Sequence, residues 1–178
     1  MINVKEEIKK NQITIIVIPS EKYLEITLFL SRISAELGKT LYVNINKPYS
    51  SLVESLKENK IPIDKFYFID AITKTVRPEK NGCVEFVSGP TALTEMSLAI
   101  FGSIEREDFY CMLFDSLSTL LIYEDSLTVT KFVHNLISRF RSVKTKAVFT
   151  VLRAESSSEL IKDLSMFADK IIDVTWTV

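Results

Sequence analysis

Uninterrupted runs of β-branched and other apolar residues alternate with segments whose apolar residues recur at every third or fourth position. That alternation constrains this chain more than any other feature. Ile13-Thr14-Ile15-Ile16-Val17-Ile18 has no polar face, as a strand covered on both sides requires. After it, Ile26, Phe29, Leu30, Ile33 and Leu37 recur at helical spacing. Ser20 is placed to cap that helix, and Gly38 stands at its C-terminal stop.

The same alternation runs to the end of the chain. Strands are expected at Leu41–Ile45, Phe66–Ile69, Val84–Val87, Phe109–Phe114, Ala147–Leu152 and Ile171–Val174. Between them, Ser51-Leu-Val-Glu54 and Ser156-Ser-Ser-Glu159 fit capping boxes that open short helices. A further helix is expected from Thr91 to about Ser103. The longest opens at Asp125 or Ser126, with Val129, Phe132, Val133, Leu136, Ile137 and Phe140 on its apolar face. Thr73–Gly82 reads as an exposed polar loop. Strands that alternate with helices imply right-handed crossovers and a mostly parallel sheet, with Ile13–Ile18 and Phe109–Phe114 inside it. At 178 residues the length fits one domain, 1–178, on a prior of about 150 residues per domain.

Composition narrows the function classes. Hydrophobic residues are 47%, charged residues 25% and the net charge is -1, so no global field favours nucleic acid or an anionic membrane. Cys83 and Cys111 are too few for a disulfide framework, which points to a reducing cytoplasm. Met1–Asn11 has no apolar stretch of signal-peptide length, and no run approaches about 20 apolar residues, so no membrane span is expected. One glutamine, Gln12, with abundant Ile, Lys and Glu leans toward a thermophile or an AT-rich genome.

In open parallel sheets, ligands bind beyond the carboxyl ends of the strands. Those ends read Pro19-Ser20-Glu21-Lys22-Tyr23, Ser88 through Met96, and Asp115-Ser116-Leu117-Ser118. The Asp-Ser-Leu-Ser turn after a buried strand, with a strand–helix unit at the start, resembles the RecA-like ATPases, and the KaiC-like branch widespread in archaea above all. The stretch Tyr110–Leu121 looks like that family's Walker B strand, and Gly38–Val43 and Ala168–Asp173 look like its second and last strands. The resemblance implies a RecA-like three-layer α/β sandwich with a mostly parallel central sheet. It also implies ATP with magnesium as the family's cofactor.

The departures from that pattern carry the functional expectation. A phosphate-binding loop needs G-x-x-x-x-G-K-[ST]: glycines let backbone N–H groups wrap the phosphates, the Lys reaches the outer phosphates and the hydroxyl holds Mg²⁺. Gly38, Gly82, Gly89 and Gly102 are the glycines, and none lies between the first strand and the first helix. Lys22 falls near the family's lysine, but only Pro19, Ser20 and Glu21 separate it from Ile18, and Tyr23 takes the hydroxyl position. Gly38-Lys39-Thr40 spells the motif's end in the wrong context, because it leaves a helix and enters a strand. In Gly89 through Met96, Thr94 replaces the second glycine, Glu95 the lysine and Met96 the hydroxyl. A carboxylate about 4 Å from a phosphate charge costs up to about 4 kcal/mol at a surface-like dielectric. Asn44 and Asn46 stand where the family places an acidic base, and an amide cannot take a proton from water.

The expected function is therefore that of a non-catalytic RecA/KaiC-like domain, a binding or regulatory protein of signal-transduction type. It has no catalytic residue, no cofactor and no metal site, and Lys22, Asp115 and Ser116 are vestigial. The alternative is an ATPase or ATP-binding protein that uses Lys22 and Asp115 with ATP and magnesium. A second alternative is a recombinase-like nucleic-acid partner using Arg139, Arg141, Lys144 and Lys146, with Arg153 nearby, although the overall charge makes nucleic acid a poor fit. That cluster is otherwise an interaction surface for a protein partner. His134 has no Cys or carboxylate spaced to share a metal with it, and Ser116 lacks a G-x-S-x-G elbow. Phe66, Tyr67 and Phe68 read as core strand. Without nucleotide to close a ring, a monomer or homodimer is expected.

Overall fold

The computed structural model describes residues 3–73, 82–155 and 159–174. Its strands are β1 (Ile13–Ile18), β2 (Thr40–Asn44), β3 (Phe66–Asp70), β4 (Val84–Phe86), β5 (Cys111–Asp115), β6 (Lys146–Leu152) and β7 (Lys170–Asp173). Its α-helices are α1 (Val4–Lys10), α2 (Tyr23–Leu37), α3 (Tyr49–Glu58), α4 (Leu93–Arg106), α5 (Leu117–Tyr123), α6 (Ser126–Phe140) and α7 (Glu159–Ser165). The strands form one sheet in the order β4-β3-β2-β5-β6-β1-β7, and every pairing is parallel. β5 lies at the middle of the sheet, and β1 lies between β6 and β7, so neither is an edge.

The continuous apolar runs are explained by two cores. Ile13, Ile15, Val17, Met112, Phe114, Phe149 and Val151 point to the face covered by α4, α5, α6 and α7. Ile16, Ile18, Tyr42, Phe66, Phe68, Leu113 and Val148 point to the face covered by α1, α2 and α3. Successive side chains alternate faces, and both faces are apolar, so the run shows no polar alternation. The result is a three-layer α/β sandwich, and Phe66 and Phe68 are core residues.

Several local expectations are corrected. Ser20 does not cap α2: Ser20–Lys22 forms a turn of 3-10 helix, and α2 begins at Tyr23 with no side-chain cap. Ser51-Glu54 is not a helix start, because α3 opens two residues earlier, after Pro48, whose fixed φ suits that entry. α4 begins at Leu93 rather than Thr91 and runs to Arg106. α1 and α5 were not foreseen. Asp125 does cap α6, its carboxylate accepting from the Thr128 N–H at 3.0 Å. Gly38 ends α2 in extended backbone rather than a left-handed turn. Its requirement is steric, since a Cβ there would stand 2.7 Å from the Tyr110 Cβ. Most of the expected Thr73–Gly82 loop and the Ser156–Ser158 part of the second capping box lie outside the described residues.

Candidate functional site

The carboxyl ends of β1, β2, β5 and β6 open onto a cavity of about 340 Å³, lined by Ser20, Tyr23, Asn46, Ser116, Thr119 and Leu152. This is where the topology of a parallel sheet places a ligand. β1 enters α2 through Pro19 and the single turn Ser20–Lys22, a connection without glycine. Lys22 is half-buried at the end of that turn, and its side chain forms no hydrogen bond or ion pair among the described residues.

Asp115, at the end of β5, lies beneath the cavity and is 1% exposed. Its register partner on β2 is Asn44, which in turn pairs with Asp70 on β3. Side chains of the protein engage both oxygens of the Asp115 carboxylate. Oδ1 accepts from the Tyr23 hydroxyl at 2.5 Å and from Asn46 Nδ2 at 2.9 Å; the Thr150 hydroxyl lies 3.4 Å away and makes its shorter bond, 3.1 Å, to the Phe114 carbonyl. Oδ2 accepts from the Tyr42 hydroxyl at 2.8 Å. The second Asn46 N–H goes to the Tyr23 oxygen, and the Asn46 carbonyl accepts from the Thr119 hydroxyl. Because the single Thr119 proton is committed to Asn46, the Ser116 hydroxyl is the donor in its 3.1 Å contact with Thr119. Donors thus run from Ser116 through Thr119 and Asn46 to Asp115, and each polarises the next. The peptide bond joining Asp115 to Ser116 is cis.

Burial dominates the electrostatics. It pushes the Asp115 carboxyl above the usual carboxylate range, with the Tyr23 and Tyr42 hydrogen bonds opposing it. Burial, followed by the nearby Asp115 charge, also raises the Tyr23 and Tyr42 phenols, which stay protonated as donors. Tyr23 is therefore a direct donor to Asp115. Its Oη donates to Asp115 Oδ1 and ties the start of α2 to the end of β5. Asn46, read in the sequence only as a missing base, is the branch point of the network. Tyr42 and Thr150 were missed, because strand register rather than any motif brings them to Asp115.

The second candidate cradle is also filled. The Glu95 carboxylate, in the first turn of α4, accepts from the Ser88 N–H at 2.9 Å, so an anion of the chain itself engages that loop. Asp70 plays a local role, accepting from the backbone N–H groups of Tyr49, Ile72 and Thr73 at 2.7, 2.6 and 2.9 Å.

The basic cluster is dispersed. Arg141 pairs with Asp169, Lys146 donates to the Asn11 carbonyl, and Arg153 pairs with Asp173. Arg139 lies over the Phe101 ring, its guanidinium carbon 3.6 Å from the centroid, and Lys144 is exposed. His134 packs against Phe167, with centroids 4.4 Å apart. Among the described residues no group of three or more His, Cys, Asp or Glu is arranged to hold a metal ion. No described helix is long and apolar enough to cross a membrane.

The fold has solved counterparts. A KaiC-like protein, PH0186 of the hyperthermophilic archaeon Pyrococcus horikoshii, superposes with a TM-score of 0.65 at 10% identity, over 92% of this chain and 72% of that one. The uncharacterized protein PH0321 of the same organism, solved in complex with an unknown peptide, gives 0.67 at 10% identity, over 94% and 82%. The flagellar accessory protein FlaH of Methanocaldococcus jannaschii gives 0.53 at 14% identity, over 97% and 78%. At these identities the likeness is one of fold, and it is to the RecA-like architecture of KaiC-like proteins. No curated protein matches the chain in sequence. A family model does match residues 39–174, from the start of β2 to the end of β7, and by that match the chain belongs to the family of unknown function DUF7504.

Proposed function

We propose that this chain is a non-catalytic, cytoplasmic RecA/KaiC-like protein that works by binding a protein partner. The observation that carries this reading is the closed hydrogen-bond network around Asp115. Tyr23, Tyr42 and Asn46 engage both carboxylate oxygens where a nucleotide-bound metal would compete for them. The short turn Ser20–Lys22 replaces a glycine cradle, and Glu95 holds the other loop. Phosphoryl transfer depends on cradle, lysine and metal acting together in positioning and charge stabilisation. A solved structure of similar fold carries a bound peptide, which supports a protein partner for this one.

The test is isothermal calorimetry with ATP and Mg²⁺, beside phosphate release by the purified protein and its Asp115→Ala variant. The expected result is no heat of tight binding and no turnover above background. Turnover that Asp115→Ala abolishes refutes the reading and assigns an ATPase acting through Lys22 and Asp115.

A further inference from the structure

On the face away from α2, the helices α4 and α6 flank a groove of about 400 Å³. Leu93, Leu98 and Phe132 supply apolar wall, Thr128 and Asn135 supply polar edge, and Arg139 closes one end. Leu98 is 66% exposed, although the rest of α4 buries its large apolar residues at Met96, Ile100 and Phe101. An exposed leucine in a concave apolar wall is a contact waiting for a partner, in contrast to a leucine scattered singly on a convex surface.

Arg139 determines what kind of partner. Its guanidinium carbon lies 3.6 Å from the centroid of the Phe101 ring, a cation–π contact that anchors the group while the residue stays exposed. No hydrogen bond or ion pair engages the guanidinium among the described residues. Glu105 stands one turn beyond Phe101 on α4 and forms no ion pair with it within 4 Å. The other arginines of the basic cluster differ in this respect, since Arg141 and Arg153 are consumed by Asp169 and Asp173. A guanidinium anchored over an aromatic ring, with no acid of its own, is complementary to a planar carboxylate.

We infer that the α4–α6 groove binds an acidic, amphipathic peptide segment of a partner protein, seating apolar side chains on Leu98 and Phe132 and a carboxylate on Arg139. The inference rests on the partner-binding reading above and gives it a location and a chemistry. Nucleic acid fits less well, because one open guanidinium without a flanking stripe of open cations does not track a phosphate backbone.

The experiment selects randomised peptides displayed on phage against the wild-type protein, then measures synthetic copies of the winners by fluorescence anisotropy. The winners are expected to carry Asp or Glu beside two apolar residues. Arg139→Ala and Arg139→Lys are expected to weaken them about tenfold or more, and Leu98→Glu to abolish binding. Lys144→Ala serves as a surface-charge control with affinity unchanged. Circular dichroism melts check that each variant is folded, and both Arg139 and Leu98 are exposed enough to replace without opening the core. The proposal is overturned by no enrichment, by winners that bind Arg139→Ala as well as wild type, or by selective loss of oligonucleotide binding in Arg139→Ala. A self-association that Leu98→Glu abolishes overturns it in favour of a second copy of this chain. ATP hydrolysis would refute the non-catalytic reading without affecting any of these measurements.

Discussion

Replacing Asp115 separates a structural carboxylate from a working one. Asp115→Ala removes the acceptor for three side-chain donors at once. The Tyr42 hydroxyl lies on a tyrosine that is 1% exposed, and losing its partner costs about 1–3 kcal/mol. Tyr23 and Asn46 keep their mutual hydrogen bond at the cavity edge, so their loss adds only about 1 kcal/mol. The sum is about 3 kcal/mol. At about 2–4 °C per kcal/mol for a chain of this size, Tm should fall by about 6–12 °C. Asp115→Asn should behave differently. Its carbonyl can accept from Tyr23 and Asn46, and its amide can donate to the Tyr42 oxygen, so the network survives with the charge removed.

The pH dependence follows in sign. Burial holds the folded-state pKa of Asp115 above its unfolded value, so the folded state binds the proton more tightly. The stability this contributes is fully present below the unfolded pKa of about 3.9 and is lost as pH rises through the folded value. Asp115→Asn carries no such penalty. Its Tm relative to wild type should therefore rise as the pH is raised from about 3.9 to neutrality. Differential scanning calorimetry of the three proteins across that range reads both effects. If Asn destabilises as much as Ala at every pH, the charge itself is required, and the structural reading of Asp115 fails.

Three further outcomes follow from particular contacts. Gly38→Ala should destabilise by about 1–3 kcal/mol in urea titrations, because its Cβ would meet the Tyr110 Cβ at 2.7 Å and one backbone must shift. Lys60→Gly should stabilise by up to about 1 kcal/mol in the same assay, because Lys60 holds φ of 56° where α3 ends, a conformation that glycine adopts without a Cβ clash. Gln12→Ala should lower Tm, because the Gln12 amide donates to the carbonyls of Phe140 and Val143 at 2.6 and 2.7 Å and ties the end of α6 to the start of β1. An unchanged melt for Gln12→Ala would show that water replaces both bonds.

The strands were legible because burial on both faces leaves a signature that local competition cannot imitate. A six-residue run such as Ile13–Ile18 holds only one polar residue, the buried Thr14, and so has no polar face to support a surface helix. Helix starts were less legible, because a capping box is a four-residue pattern that chain geometry overrules. Ser51 and Glu54 match the pattern, yet Pro48 had already set the helical entry at Tyr49. α1 escaped notice for a different reason. Only Val4 and Ile8 of its seven residues are buried, and the charges around them read as a solvated terminus.

The candidate site divides along the same line. Asp115 was visible because one residue at the end of one strand announces it, and Tyr23 because it displaced an expected hydroxyl. The network that gives Asp115 its role draws on Tyr23 from α2, Tyr42 from β2, Asn46 beyond β2 and Thr150 from β6. Those residues are spread through 127 positions of chain and meet only because β5 lies between β2 and β6. Sequence spacing can show that the parts of a phosphate site are missing. Only strand order shows which side chains meet at Asp115, and here they are donors that engage both carboxylate oxygens. For that reason the next experiments belong to the α4–α6 groove, where Arg139 remains an open donor, as well as to the cavity above Asp115, where the donors are already spent.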